Sequence, residues 1–365
     1  MAVFRLMVAG GGTGGHVFPG IAVADALARR VRDLDVCWVG TPRGIEARVL
    51  PTTPWRFAPM DLSGLNGVRG KALLRALGKL PGAGRTAFQV LQRTQPHAVL
   101  GVGGYAGGPV VALAAALRIP CAVLEPNAVP GLTNRLLSRW VRRAFVTHEE
   151  TVSAFPAGVG LVTGSPVRRA FLTRMASPVP TGEAMSVLVL GGSQGARALN
   201  EAVPAALGLL QAQGVRVAVT HQTGGPAREA VEAAYAREGI EAEVVAFIDD
   251  VAAVMARASL VVCRAGAMTV AELGVLGRPA LYVPLPTAAD DHQRRNAEAM
   301  TARGAARWVA QAALTPETLA AEMGALLGAP EVLQAMGAAA WESARPDAAG
   351  VIADELLGIA GWGEG

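Results

Sequence analysis

Short apolar runs recur along the chain, each closed by glycine or a polar residue and followed by a stretch with helical spacing. Phe4–Ala9 leads into Gly10-Gly11-Gly12-Thr13-Gly14-Gly15-His16, and the pattern then predicts a helix over about Gly20–Arg32 and a strand at Val36–Val39. Further strands are predicted at Ala98–Val102, Cys121–Leu124 and Ala144–Thr147, with a helix from about Pro109. Between Ser165 and Ser186 the pattern loosens around Pro166, Pro178 and Pro180, which reads as a linker. It then restarts with Ser186–Leu190, the turn Gly191-Gly192-Ser193-Gln194-Gly195-Ala196 and a helix through about Gln213. Val215–Thr220, Glu243–Phe247, Leu260–Cys263 and Ala280–Val283 follow as strands, and Pro346–Ile359 as a last helix.

Buried strands alternating with helices indicate parallel α/β sheets. The strand, glycine turn and helix unit occurs at residue 10 and again at residue 191, so two tandem Rossmann-like, doubly wound domains are expected, facing across a cleft. The expected organisation is 1–164, a linker at 165–185, a second domain at 186–345, and a terminal helix segment at 346–365 whose domain the pattern leaves open. Ligands on such sheets bind at the carboxyl ends of the strands.

Composition narrows this. A length of 365 residues suits two domains with separate cores. With 52% hydrophobic and 17% charged residues and a mean hydropathy of +0.35, the chain is not of disordered type. The uncharged stretch Thr94–Leu117 is cut by Gly101, Gly103, Gly104, Gly107, Gly108 and Pro109, so it reads as a strand, a turn and a core helix rather than a membrane span. The N-terminus reads as a strand entering a turn, without the basic leader and long apolar region of a signal peptide. Cys37, Cys121 and Cys263 are sparse and far apart, which argues against a disulfide framework or a zinc site. Residues 1–150 hold 18 basic and 8 acidic side chains, a net +10, whereas the remainder is −6. The basic half suggests an anionic partner.

The first glycine turn formally matches a dinucleotide-binding pattern. The ribose-binding acid is missing, however, because Val36–Val39 ends in Gly40-Thr41, and no Gly-Lys-Ser/Thr follows for a Walker loop. What remains is general: glycines admit close backbone approach, and the following helix N-terminus attracts an anion. His16 directly after this turn can serve as a general base or as a structural cap of the turn. In the second half, Thr269-x-x-Glu272 can be a capping box, or Glu272 can accept from ribose hydroxyls beside a helix N-terminus that holds a diphosphate. Asp290, Asp291 and His292 admit a metal-binding, a sugar-binding or a plain solvated loop.

Six motifs in order, from Gly11-Gly12-Thr13-Gly14-Gly15-His16 through Gly103-Gly104-Tyr105-x-x-Gly108-Pro109, Gly191-Gly192-Ser193-Gln194-Gly195-Ala196-Arg197, Phe247-Ile248-Asp249-Asp250, Cys263-Arg264-x-Gly266-Ala267 and His292-Gln293, resemble the MurG glycosyltransferases of bacterial cell-wall synthesis. The resemblance runs from the first strand to about residue 350. It implies the GT-B architecture and an inverting transfer of N-acetylglucosamine from UDP-N-acetylglucosamine to the 4-hydroxyl of undecaprenyl-pyrophosphoryl-N-acetylmuramyl-pentapeptide, converting lipid I to lipid II. It implies a peripheral enzyme on the cytoplasmic face of the cell membrane. No cofactor is required, and the response to divalent metal is left open. Runners-up are another UDP-sugar-dependent glycolipid synthase, a nucleotide-sugar epimerase, or a non-catalytic UDP-sugar-binding membrane adaptor. Nucleic acid is disfavoured, because the basic residues interleave with aliphatic rather than stacking side chains.

Carried over by motif, the resemblance makes His16 the base, with Thr13, Gly14, Gly15 and Asn127 at the reaction centre. Gly12, Gly104 and Tyr105 would bind the acceptor pyrophosphate. The donor would meet Ile248 at the uracil, Glu272 at the ribose, and Ser193, Gln194, Arg168 and Arg264 near the diphosphate. Ala267, Met268, Thr269 and Gln293 would meet the sugar. Three departures stand out: Leu124-Glu125-Pro126-Asn127 for a usual His-Glu-Gln-Asn, Ser165 for a usual Asn before Pro166-Val167-Arg168, and Ala265 for a usual serine. With the family context, Leu73, Leu74 and Leu77, interleaved with Arg75 and Lys79, become a docking patch for an anionic inner-membrane surface; without it they read as an amphipathic core helix.

Overall fold

The computed structural model describes residues 2–60, 84–104, 107–182, 185–192 and 195–363. Two compact units emerge, one of residues 1–168 with 345–365 and one of residues 169–344. Among the described residues, the first unit carries a seven-stranded parallel sheet in the order β3-β2-β1-β4-β5-β6-β7. Its strands are β1 (Phe4–Gly10), β2 (Leu34–Gly40), β3 (Arg56–Pro59), β4 (Ala98–Gly103), β5 (Cys121–Glu125), β6 (Arg143–Val146) and β7 (Gly160–Val162). The second carries a six-stranded parallel sheet in the order β10-β9-β8-β11-β12-β13. Its strands are β8 (Ser186–Leu190), β9 (Ala218–Gln222), β10 (Ala242–Val245), β11 (Leu260–Cys263), β12 (Ala280–Tyr282) and β13 (Ala306–Trp308).

Both faces of the first sheet are covered, which explains why its strands are continuously apolar. Along β1, Phe4, Leu6 and Val8 join one core with the helix Gly14–Ala28, whereas Met7 and Ala9 join another with Val110, Val111 and Ala114 of the helix Gly107–Ala116. The helix Ala348–Ile359 packs Ile352, Ala353 and Leu356 into the first of these cores, so the end of the chain returns to the N-terminal unit. Arg30–Asp354 (2.5 Å) and Arg143–Glu355 (2.8 Å) edge that contact. Part of the expected linker folds into the second unit: Val179 lies in its core, and buried Arg278 donates to the carbonyls of Ser177 (2.6 Å) and Pro178 (2.9 Å).

Two helix starts differ from the pattern. The first helix begins at Gly14, six residues before the expected Gly20. Gly14, Gly15, Pro19 and Gly20 read as breakers, but two of the three glycines serve packing: a Cβ would lie 3.0 Å from Phe18 at Gly14 and 2.5 Å from Trp38 at Gly20. The helix Ala267–Leu276 has Gly266 as its N-cap, so Thr269 lies inside the first turn and the Thr269–Glu272 capping box does not form.

The three cysteines are buried and free, and burial pushes the Cys121 thiol up to about 12. Among the described residues, no helix is long and apolar enough to cross a membrane. A buried chain of polar groups braces the second sheet. His221 Nε2 contacts Asn200 Oδ1 (3.1 Å), its Nδ1 contacts the Tyr235 hydroxyl (2.9 Å), and Asn200 Nδ2 donates to the Thr223 carbonyl (3.0 Å). Burial pulls His221 from an ordinary 6.5 down to about 4, so the ring is neutral in the fold. The unfolded chain takes up the proton first as pH falls. The stability held by the neutral ring is therefore complete above pH 6.5 and is lost toward pH 4, by up to about 3 kcal/mol. Urea unfolding across that window should show this slope, and His221→Gln should flatten it.

Candidate active site

In the first unit, three loops leave the carboxyl ends of the neighbouring strands β1, β4 and β5. The turn after β1 takes positive φ at Gly10, Gly11 and Gly12 (+138°, +156° and +92°), and the turn after β4 at Gly103 and Gly104 (+92° and +77°). The two turns interlock. Gly11 N–H donates to the Gly103 carbonyl at 3.2 Å, and a Cβ on Gly104 would lie 2.3 Å from the Gly11 carbonyl oxygen. Side chains are excluded there because backbone meets backbone.

His16 stands in the first turn of the helix that follows. Its Nδ1 lies 3.1 Å from the Gly11 carbonyl oxygen and 3.3 Å from Thr13 Oγ1. The carbonyl can only accept, so Nδ1 carries the proton in the neutral ring and Nε2 carries the lone pair. The ring rests over Gly103, where a Cβ would approach Cδ2 at 2.8 Å and Nε2 at 3.0 Å. Thr13 is the helix N-cap without a side-chain cap bond, and the first turn contains no acidic residue. The amides of Gly14 and Gly15 there form a helix terminus suited to a pyrophosphate.

Two carboxylates absent from the expected site hold these loops. Glu46, fully buried, accepts from Gly12 N–H (2.7 Å), Thr41 N–H (2.8 Å) and the Thr41 hydroxyl (2.9 Å). Glu125, 2% exposed, accepts at Oε1 from Asn127 N–H (3.1 Å) and Nδ2 (3.0 Å), and at Oε2 from Gly131 N–H (2.9 Å) and Asn134 Nδ2 (2.9 Å). Asn127 is thus oriented by its neighbour, and Pro126 leaves those four bonds intact. An acid directly ending an apolar strand is a readable sign for Glu125. Glu46 has no periodic sign beyond the glycines around it.

Arg168 belongs to the first unit, where its guanidinium lies 4.8 Å from the centre of the Phe18 ring, one turn along the helix that begins beside His16.

In the second unit, the remaining residues lie along one sheet edge. Gly192 and Gly195 take positive φ (+72° and +74°) in the turn after β8, and Gly195 fits closely over the Thr223 carbonyl. Ile248 is nearly buried after β10, and Asp250 caps the next helix through Ala253 N–H (3.0 Å) while pairing with Arg174 (2.9 Å). After β11, Ala267, Met268 and Thr269 form the first turn of a helix whose N-cap, Gly266, supplies no side-chain cap, and Glu272 is 6% exposed one turn on. Arg264 donates to the carbonyls of Val283 (2.8 Å) and Pro284 (3.3 Å), tying β11 to the loop after β12; burial draws its pKa below the ordinary arginine value. Gln293 Oε1 accepts from Leu285 N–H (3.0 Å) in the same loop, and Asn296 Nδ2 donates to the Ala265 carbonyl (3.1 Å). Asp291 pairs with Arg294, and among the described residues no group of three His, Cys, Asp or Glu side chains is placed to hold a metal ion. Tyr105, Ser193, Gln194, Leu73, Leu74, Arg75, Leu77 and Lys79 lie outside the described residues.

Two parallel α/β units, each with a glycine turn and a helix start at the carboxyl edge of its sheet, define the GT-B architecture. The glycosyltransferase family 28 N-terminal domain matches residues 6–146 and its C-terminal domain matches residues 186–352. The UDP-N-acetylglucosamine--N-acetylmuramyl-(pentapeptide) pyrophosphoryl-undecaprenol N-acetylglucosamine transferase of Pelobacter propionicus is 46% identical over 97% of this chain and 99% of its own, and that of Geobacter sulfurreducens 43% over 97% and 98%. The crystal structure of Acinetobacter baumannii MurG superposes with a TM-score of 0.81 at 34% identity, covering 97% of this chain and 99% of that one. The chain belongs to the MurG family within glycosyltransferase family 28. The Neisseria meningitidis UDP-GlcNAc 2-epimerase, at 14% identity and a TM-score of 0.70, shares the fold alone.

Proposed function

We propose that the protein transfers N-acetylglucosamine from UDP-N-acetylglucosamine to the 4-hydroxyl of undecaprenyl-pyrophosphoryl-N-acetylmuramyl-pentapeptide, with inversion, in peptidoglycan synthesis. The observation that carries the chemistry is His16, with Nδ1 at the Gly11 carbonyl and Nε2 as the basic nitrogen. The acceptor hydroxyl gives its proton to Nε2 as its oxygen attacks the anomeric carbon. The C–O bond to UDP breaks on the opposite face, and the pair of electrons leaves on the diphosphate. Negative charge grows on that diphosphate, where the uncapped amides of Ala267–Thr269 are the stabilising group. Glu272 is assigned to the ribose, Ile248 to the uracil and Gln293 to the sugar. Arg264 acts by holding the loop after β12, since its guanidinium is turned to two carbonyls there.

The acceptor pyrophosphate is assigned to Gly12, Gly104 and the helix start at Gly14, with Thr13 and Asn127 near the reacting hydroxyl. The acceptor is lipid-linked, so the enzyme works peripherally at the cytoplasmic membrane face, and the basic, leucine-rich segment 73–79 is its docking patch. The deciding experiment is incubation with labelled UDP-N-acetylglucosamine and the lipid-linked acceptor, omitting each in turn. Label in the lipid fraction only when both are present supports the reading. UDP-sugar epimerisation, or binding without turnover, overturns it. Vesicle binding that needs anionic lipid and is lost when Arg75 and Lys79 become Glu supports the docking; binding indifferent to both removes it.

A further inference from the structure

The peptide unit joining Gly11 to Gly12 is gripped at both ends. Its carbonyl accepts from His16 Nδ1 at 3.1 Å, and its N–H donates to Glu46 Oε2 at 2.7 Å. A carboxylate, one peptide bond and an imidazole thus form a continuous hydrogen-bonded chain. The geometry points to Glu46 as the positioning residue for His16, acting through that peptide unit. The inference rests on the reading of His16 as the base.

The surroundings of Glu46 are built for this reach. A Cβ on Gly11 would lie 2.3 Å from its carboxyl carbon, one on Gly44 2.1 Å from Oε2, and one on Gly40 2.8 Å from Cγ. Three glycines therefore clear the space in which the carboxylate meets the turn. Among the described residues Glu46 makes no ion pair, so its charge is met by three N–H and O–H donors, one of them Gly12 N–H. Two effects follow. The short bond fixes the rotation of the peptide plane, and with it the direction of the Gly11 carbonyl that selects the Nδ1–H tautomer. The carboxylate also draws the amide proton toward itself and moves electron density onto that carbonyl, making it a stronger acceptor. In hydrolases a carboxylate orients the catalytic imidazole by direct contact; here the contact passes through one amide.

Glu46→Gln retains shape but puts an NH2 group against a donor, Gly12 N–H or Thr41 N–H, in either orientation of the amide. It should lower kcat by about 10- to 100-fold, the usual effect of losing an orienting partner behind a functional side chain. KM for UDP-N-acetylglucosamine should stay within about twofold of wild type, because the donor is assigned to the other unit. In the His16→Ala background the same change should have no further effect on turnover. An equal loss in both backgrounds makes Glu46 a support of the fold alone and overturns the inference.

A second measurement needs no variant to fold. Nitrogen-15 spectra of the wild-type chain at neutral pH should show His16 protonated at Nδ1, and the Gly12 amide proton shifted downfield. An Nε2–H tautomer, or an ordinary Gly12 amide, overturns the relay. Undiminished turnover in His16→Ala sinks the base reading itself. An impaired His16→Ala beside a full-speed Glu46→Gln sinks only the positioning role.

Discussion

His16→Ala should lower turnover about 100- to 10,000-fold, the usual contribution of a positioned general base, while UDP binding is retained. The residue is a base candidate on geometry. Its Nδ1 is committed to the Gly11 carbonyl at 3.1 Å, so the neutral ring presents the lone pair at Nε2. The substitution removes that lone pair and leaves the backbone of the turn in place, since Gly11 N–H still reaches the Gly103 carbonyl. The loss should therefore fall on kcat. Single-turnover rates with saturating donor and lipid-linked acceptor, alongside calorimetric UDP titration, separate the two. A variant that turns over at the wild-type rate with chemistry limiting removes His16 from the role.

Gly10→Ala should destabilise the fold by about 2–6 kcal/mol, from about 1–3 for a side chain forced into an unfavourable backbone region and about 1–3 for overpacking. Gly10 has a φ of +138°, and a Cβ there would lie 2.1 Å from the Gly103 carbonyl oxygen and 2.9 Å from Val102. Relief requires the turns after β1 and β4 to separate. That would loosen the Gly11–Gly103 bond and the bond from Trp38 Nε1 to the Gly10 carbonyl (2.8 Å). Gly12→Ala is the matched comparison, because it carries a φ of +92° with nothing among the described residues within 4 Å of a new Cβ. It should cost only the strain, about 1–2 kcal/mol. Urea midpoints of the two variants measure the crowding by difference. Equal losses would show that the close approach of the two turns contributes nothing.

Much of the fold is legible in the chain. Phe4–Gly10, Ala98–Gly103, Ser186–Leu190 and Leu260–Cys263 are apolar runs ended by a glycine or by a polar residue, and each is a central strand. Burial on both faces makes such strands nearly all apolar, so the pattern is strong. The edge strands of the first sheet are not legible. Arg56–Pro59 and Gly160–Val162 are short and only half-buried, and they are held by pairing with a neighbour rather than by their own composition. The first helix starts earlier than its residues suggest, because close contact with Phe18 and Trp38 outweighs the glycine and proline that disfavour it locally.

The site divides in the same way. The two glycine turns, His16 and the motifs of the second unit stand in the sequence, because a close backbone approach and a helix start at a strand end need particular residues at fixed spacing. They determine a doubly repeated α/β chain with two glycine turns and a histidine beside the first. Tertiary structure alone decided the rest: that Ala348–Ile359 returns to the first unit, that Arg168 lies over Phe18, that the Ala267 helix begins ahead of Thr269, and that Glu46 reaches Gly12. Each of these joins positions distant in the chain or sets local preference against packing. Spacing along a sequence records the local term, whereas the direction of a buried side chain is set by whatever the fold brings against it.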